Sequence, residues 1–185
     1  MSEPETPPET TVKVEGSHVF FYCDVWEETV TELTMMLTKL ETDLLIGAVK
    51  LGLRKRDVRI TLHIMSPGGE LYSGLAAMDF IKNMRVHVTT IAEGCVASAA
   101  SLIFLAGDTR IVRQNAYVLI HQIGSELWGK FEQLKDEMRQ CEKLMRQLKK
   151  IYMHETELPE KKLNRLMKRD IYLTYSKCIK YGLEK

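Results

Sequence analysis

The stretch Val58-Arg59-Ile60-Thr61-Leu62-His63-Ile64-Met65-Ser66-Pro67-Gly68-Gly69 decides the fold class. Val58–Ile64 reads as a β-strand, and Ser66–Gly69 reads as the turn that ends it. Leu71–Met84 then reads as a helix with Leu71, Leu75, Met78 and Ile81 along one side. Val86–Ile91 is a β-branched strand, which Gly94 is expected to break. Val96–Leu105 reads as an apolar helix rich in small residues. Gly107-Asp108 turns the chain into two short strands, Arg110–Val112 and Tyr117–Ile120. Strands alternating with helices predict parallel βαβ units with helices covering the sheet, an α/β architecture.

Upstream, Val19-Phe20-Phe21-Tyr22 reads as a buried strand. From Glu27 to about Leu51 a helical stripe carries Val30, Leu33, Met36/Leu37, Leu40 and Leu44. Arg54–Asp57 is a polar turn. Residues 1–11 hold Pro4, Pro7 and Pro8 and no apolar residue after Met1, so they are expected to form a disordered acidic tail. Residues 12–185 are expected to form a single domain.

Downstream, Leu127, Phe131, Leu134, Met138, Cys141, Met145, Leu148 and Tyr152 recur at alternating steps of four and three. This is a heptad seam, and it predicts a helix over about 126–153. At 1.5 Å per residue such a helix spans about 40 Å, long for a domain of this size. It either projects to dock on another subunit or lies along its own domain. Asp136/Arg139 and Glu142/Arg146 add surface pairs. Pro159 opens a further helix, Glu160–Lys168. Arg169–Thr174 reads as a connection to a last helical turn ending at Tyr181-Gly182.

The chain has 185 residues, 45% hydrophobic and 28% charged, enough to bury a core without disulfide or metal staples. A net charge of +1 argues against a dedicated nucleic-acid binder. No run approaches the ~18 apolar residues of a membrane span, and no secretory signal stands at the start. A soluble, cytoplasmic protein is expected. Cys23, Cys95, Cys141 and Cys178 are scattered, so neither a zinc site nor a redox pair is indicated, and buried free thiols are expected. Nothing implies a cofactor. The near-neutral sum conceals a gradient. Residues 1–11 hold three acids and no base, residues 12–128 hold 11 bases and 13 acids, and residues 129–185 hold 15 bases and 9 acids. The basic surplus reads as a solvated helix face or a partner surface.

Three features could carry chemistry. The Ser66–Gly69 turn offers bare backbone N–H groups that can hold an oxyanion, or it is simply a turn. Ser98, in Gly94-Cys95-Val96-Ala97-Ser98-Ala99-Ala100-Ser101, stands at a helix start among small residues, where free N–H groups suit a nucleophile. The alternative is a tightly packed helix that Ser98 or Ser101 caps. His121 ends an apolar strand, and in parallel sheets ligands bind beyond the carboxyl ends of strands. All three features gather at that edge. His18, His63, His87 and His154 show no such placement.

Residues 60–122 resemble the Clp-type serine peptidase (ClpP) family. The likeness runs through Ile64–Gly69, Gly74-Leu75-Ala76, Gly94–Ser101, Ala106-Gly107 and Val118-Leu119-Ile120-His121-Gln122. It continues through the long helix to Met167–Thr174 and Tyr181-Gly182-Leu183, so residues 19–185 lie along the family. The resemblance implies a crotonase-like βαβ superhelical head domain with a protruding long helix, or handle. It implies a Ser98-His121-Asp170 triad and oxyanion-hole positions at Gly68, Gly69 and Ala99. Without it, Asp170 reads as half of a surface ion pair with Arg169. It also implies a serine endopeptidase acting on unfolded proteins or peptides inside two stacked seven-membered rings, with AAA+ unfoldases as possible feeders. Alternatives are a non-catalytic ring subunit or assembly protein, and an acyl-CoA hydratase-type enzyme on the same fold. The chain departs from the family pattern at Cys95, at Ala99 after the nucleophile, and at Ile123 after His-Gln. It also departs in its acidic tail and in ending at Lys185 before the usual last strand.

Overall fold

In the computed structural model, residues 12–124 and 128–185 are described. The expected tail over 1–11, and Leu127 of the seam, lie outside them. Seven strands form one sheet: β1 (Val12–Glu15), β2 (His18–Phe21), β3 (Arg59–Ser66), β4 (His87–Ala97), β5 (Thr109–Val112), β6 (Tyr117–Leu119) and β7 (Tyr172–Thr174). The order is β1-β2-β3-β4-β6-β7, with β5 also on β4. Strands β2, β3, β4, β5 and β6 run parallel, as the alternation predicts. The outer strands β1 and β7 are antiparallel to their neighbours.

Helix α1 (Glu27–Lys50) buries Leu33 and Leu37, and α2 (Leu71–Lys82) packs between α1 and α3 (Ala99–Leu105). All seven residues of α3 are buried. The α1 stripe is stapled to the start of β4 by Glu41. Its carboxylate accepts from the Arg85 amide, from Val86 N–H at 3.1 Å and from Arg85 Nε at 2.9 Å. Burial pushes Glu41 upward, but these hydrogen bonds outweigh it and hold it below its ordinary value.

Two expectations change here. Gly94 does not end the strand: β4 runs on to Ala97, and α3 starts only at Ala99. Gly94 takes φ +53 inside a bulge, where Met65 of β3 faces Glu93, Gly94 and Cys95 of β4. A glycine in this conformation bends a strand without ending it. The first half of β4 therefore pairs with β5 and its last residues pair with β6. Second, the connection expected over Arg169–Thr174 contains β7, which pairs with β6. Three residues are too few to show a period in sequence.

Helix α4 (Phe131–Glu155) starts later than the seam suggests, because Lys130 N–H is capped by Gln133 Oε1 at 2.9 Å. The pairs Asp136/Arg139 and Glu142/Arg146 form. Only Leu148 and Tyr152 of α4 are buried, while Phe131 and Met138 are 69% and 57% exposed. The helix thus protrudes, anchored by its last turns. Helices α5 (Glu160–Leu166) and α6 (Tyr175–Lys180) follow, and Lys185 pairs with Arg110 through both backbone groups. Cys178 is buried, whereas Cys23, Cys95 and Cys141 are half-buried.

The Glu41 staple has a pH signature. Its contribution is complete above the ordinary carboxylate value of 4.5 and is lost as pH falls through the lowered one. Glu41→Gln is expected to cost about 1–3 kcal/mol at neutral pH. In urea titrations the gap to the unsubstituted protein should close as the pH is lowered below 4.5 and through the depressed value.

Candidate active site

Ser98 follows β4 directly, with φ 54 and ψ −127, and is the one non-glycine residue of positive φ among the described residues. A serine held this way stands proud of the sheet on a strand-to-helix turn. The bulge at Gly94 turns the end of β4 onto β6, and Ser98 N–H donates to the Leu119 carbonyl at 3.0 Å. That bond sets the nucleophile candidate beside the end of β6, two residues before His121.

The β6–β7 pairing places the third group. Leu119 faces Tyr172 in antiparallel register. Continuing that register by two residues brings His121 opposite Asp170. Accordingly, His121 Nδ1 lies 3.4 Å from Asp170 Oδ1. Asp170 thus faces His121 rather than forming the surface pair with Arg169. The carboxylate is 77% exposed, and the imidazole is 28% exposed. Among the described residues no hydrogen bond joins Ser98 to His121, although both line one cleft. In ligand-free sites such bonds commonly tighten only around substrate.

The cleft encloses about 250 Å³ and is lined by Gly69, Ser98, Ala99, His121, Leu102 and Tyr152, among others. Gly69 forms a parallel bridge with Val25: Val25 N–H donates to Gly68 O at 2.8 Å, and Glu70 N–H donates to Val25 O at 2.7 Å. In such a bridge the N–H of Gly69 itself points away from Val25. Ala99 opens α3, so its N–H has no intrahelical acceptor. A Cβ placed on Gly68 would lie 3.1 Å from Ala99 N and 2.6 Å from Ser98 Cβ. Two unspent N–H groups therefore stand beside Ser98. Gly68 differs from the expectation for it, because its own N–H is donated to Ser66 Oγ at 3.2 Å. It contributes room rather than a donor.

Cys95, three positions before Ser98, pairs with Tyr117 across the sheet. Burial pushes its thiol up, and a hydrogen bond with the Tyr172 side chain opposes the shift. His63 and His87 are satisfied sheet residues, with His18 and Glu93 around the first and Thr109 beside the second. Among the described residues no group of three His, Cys, Asp or Glu could hold a metal ion. Two polar groups, Ser101 and the cleft-lining Tyr152 it bonds, escape a reading of the sequence. Residue order shows the first only as a helix cap and the second only as the end of an apolar seam.

The Clp protease family model matches residues 21–184. The chain is 35% identical over 129 residues to an ATP-dependent Clp protease proteolytic subunit from Deinococcus radiodurans, covering 69% of this chain and 63% of that protein. It is 31% identical over 184 residues to the protein of the same name from Chlorokybus atmophyticus, covering 95% of this chain and 81% of that one. The chain thus spans less than two thirds of the bacterial relative. The fold is similar to that of a point mutant of ClpP1 from Listeria monocytogenes, with a TM-score of 0.77 and 22% identity over 91% of this chain and 89% of that one.

The glycine cradle can be tested directly. Gly69 has φ +148, and a Cβ there would sit 2.3 Å from the Val25 carbonyl oxygen. Gly69→Ala is expected to lower stability by about 1–3 kcal/mol in urea melts. Gly47→Ala, inside α1 with nothing within 4 Å, should instead raise it by about 0.5–1 kcal/mol.

Proposed function

The chain belongs to the Clp protease family, and on that premise we propose that it is a serine endopeptidase working through Ser98, His121 and Asp170. The observation that carries this reading is convergence. A serine at φ 54, a histidine backed by a carboxylate and two free amides line one cleft. His121 takes the Ser98 hydroxyl proton as Ser98 Oγ attacks a peptide carbonyl. Asp170, at His121 Nδ1, holds the imidazole so that Nε2 faces the serine and stabilises the imidazolium that forms. The Gly69 and Ala99 N–H groups receive the oxyanion. His121 then passes its proton to the leaving amine. A water activated by the same histidine releases the acyl-enzyme and restores Ser98.

The substrates are unfolded polypeptides or peptides, and the particle is a cytoplasmic homo-oligomer of two stacked seven-membered rings. The protruding α4 supports this, since its apolar seam leaves Phe131 and Met138 uncovered in one chain. An AAA+ unfoldase is the partner such a chamber calls for. Among the described residues, no helix is long and apolar enough to cross a membrane. A second reading, a non-catalytic ring subunit, draws on the open Ser98–His121 contact and the exposure of Asp170.

Two measurements separate these readings. A fluorophosphonate should label Ser98 in the assembled particle, and Ser98→Ala should abolish both labelling and peptide cleavage. Asp170→Asn is expected to lower kcat by about 10³–10⁴-fold with the fold intact. An assembled particle that neither labels nor cleaves would establish the non-catalytic reading. Native mass spectrometry should show a tetradecamer, and a monomer at working concentration would remove the chamber.

A further inference from the structure

Tyr152 stands near the end of α4, 2% exposed, yet it lines the same cleft as Ser98 and His121. The proposed chemistry leaves it unused. Its hydroxyl lies 2.8 Å from Ser101 Oγ, and Ser101 Oγ lies 2.6 Å from the Ser98 carbonyl oxygen. A carbonyl can only accept, so the single hydroxyl proton of Ser101 goes to Ser98 O. Ser101 Oγ must then accept from Tyr152. The contacts form a directed chain: Tyr152 O–H donates to Ser101, and Ser101 O–H donates to the Ser98 carbonyl. Ser101 N–H donates to the same oxygen at 2.9 Å.

That carbonyl shares a planar trans peptide with the Ala99 N–H, and the two groups point in opposite directions. Whatever fixes the Ser98 oxygen therefore aims the Ala99 amide. The preceding residue holds φ 54, a sparsely populated conformation that relaxes unless its surroundings hold it. We infer that Tyr152 is a positioning residue, which through Ser101 fixes the Ser98–Ala99 peptide plane and so ties the oxyanion donor to the base of α4. The inference rests on the serine-peptidase reading given above. Burial pushes the Tyr152 phenol up to about 12, which keeps it a proton donor across the working pH range. Neither residue owes its place to apolar packing alone, since each buried hydroxyl has the other as its partner.

The test compares Tyr152→Phe, Ser101→Ala and the double variant in the full-length assembled protein. The measured quantities are peptide-cleavage kcat and KM, and the affinity of a peptide boronate that mimics the tetrahedral oxyanion. Each single variant should lower kcat and boronate affinity together by about tenfold, with KM within about twofold. The double variant should be no worse than the poorer single one, because the chain acts as a unit. Unchanged kcat in both single variants overturns the inference while the unsubstituted protein still labels at Ser98. So does a rise in KM with kcat held, which marks a packing role. If the assembled unsubstituted protein neither labels nor cleaves, the peptidase reading fails and takes this inference with it.

Discussion

The Ser98 N–H to Leu119 carbonyl bond, 3.0 Å long, joins two strand ends on which the whole cleft depends. It forms only because β4 does not stop where its β-branched run stops. The bulge around Gly94 inserts extra residues opposite Met65 and swings the strand away from β5. The last residues of β4 then find a second partner in β6. One strand thus serves two neighbours in succession, and the crossing point of these pairings is where Ser98 emerges. The pairing of β6 with β7 extends the same logic to the carboxylate. An antiparallel strand of three residues is enough to fix Asp170 against His121, because register alone sets which residues meet.

Close approach is the second requirement, and glycine supplies it. Gly68 lies against Ser98 and Ala97, Gly69 against the Val25 backbone, and Gly74 against Ala99. The first two leave no room for a side chain, and at Gly74 the Ala99 neighbour would have to give way. Together they bring the turn between β3 and α2, the first turn of α2 and the start of α3 within reach of one small ligand. The positive φ values of Gly68 and Gly69 turn their peptide groups as the Val25 bridge requires. The strain accepted at Ser98 is held by bonds on both sides of it. Leu119 takes its N–H, and Ser101 binds its carbonyl.

The long helix divides into two physically different parts. Its last turns belong to the core through Leu148 and Tyr152. Its first turns carry the same apolar period but leave Phe131 and Met138 exposed in a single chain. The basic surplus after residue 128 lies largely along this helix and its successors, while residues 12–128 are close to balanced.

Much of this is legible in residue order. Apolar periodicity locates α1, α2 and the parallel strands to within a few residues, because helix and strand periods are local properties. The Pro-Gly-Gly turn, Ser98 and His121 fall at one edge by the rule that parallel strands expose their carboxyl ends together. Other features are not legible there. The continuation of β4 past Gly94, the strand over Tyr172–Thr174 and the commitment of the Gly68 amide to Ser66 all depend on the folded neighbourhood. So does the role of Tyr152, which in sequence is one more seam residue. Residue order is thus sufficient for the α/β class, the long helix and the serine and histidine gathered at the strand ends. How the strands share partners, which amides stay free and what holds them emerge only on folding, because hydrogen bonds between distant segments leave no period in the chain.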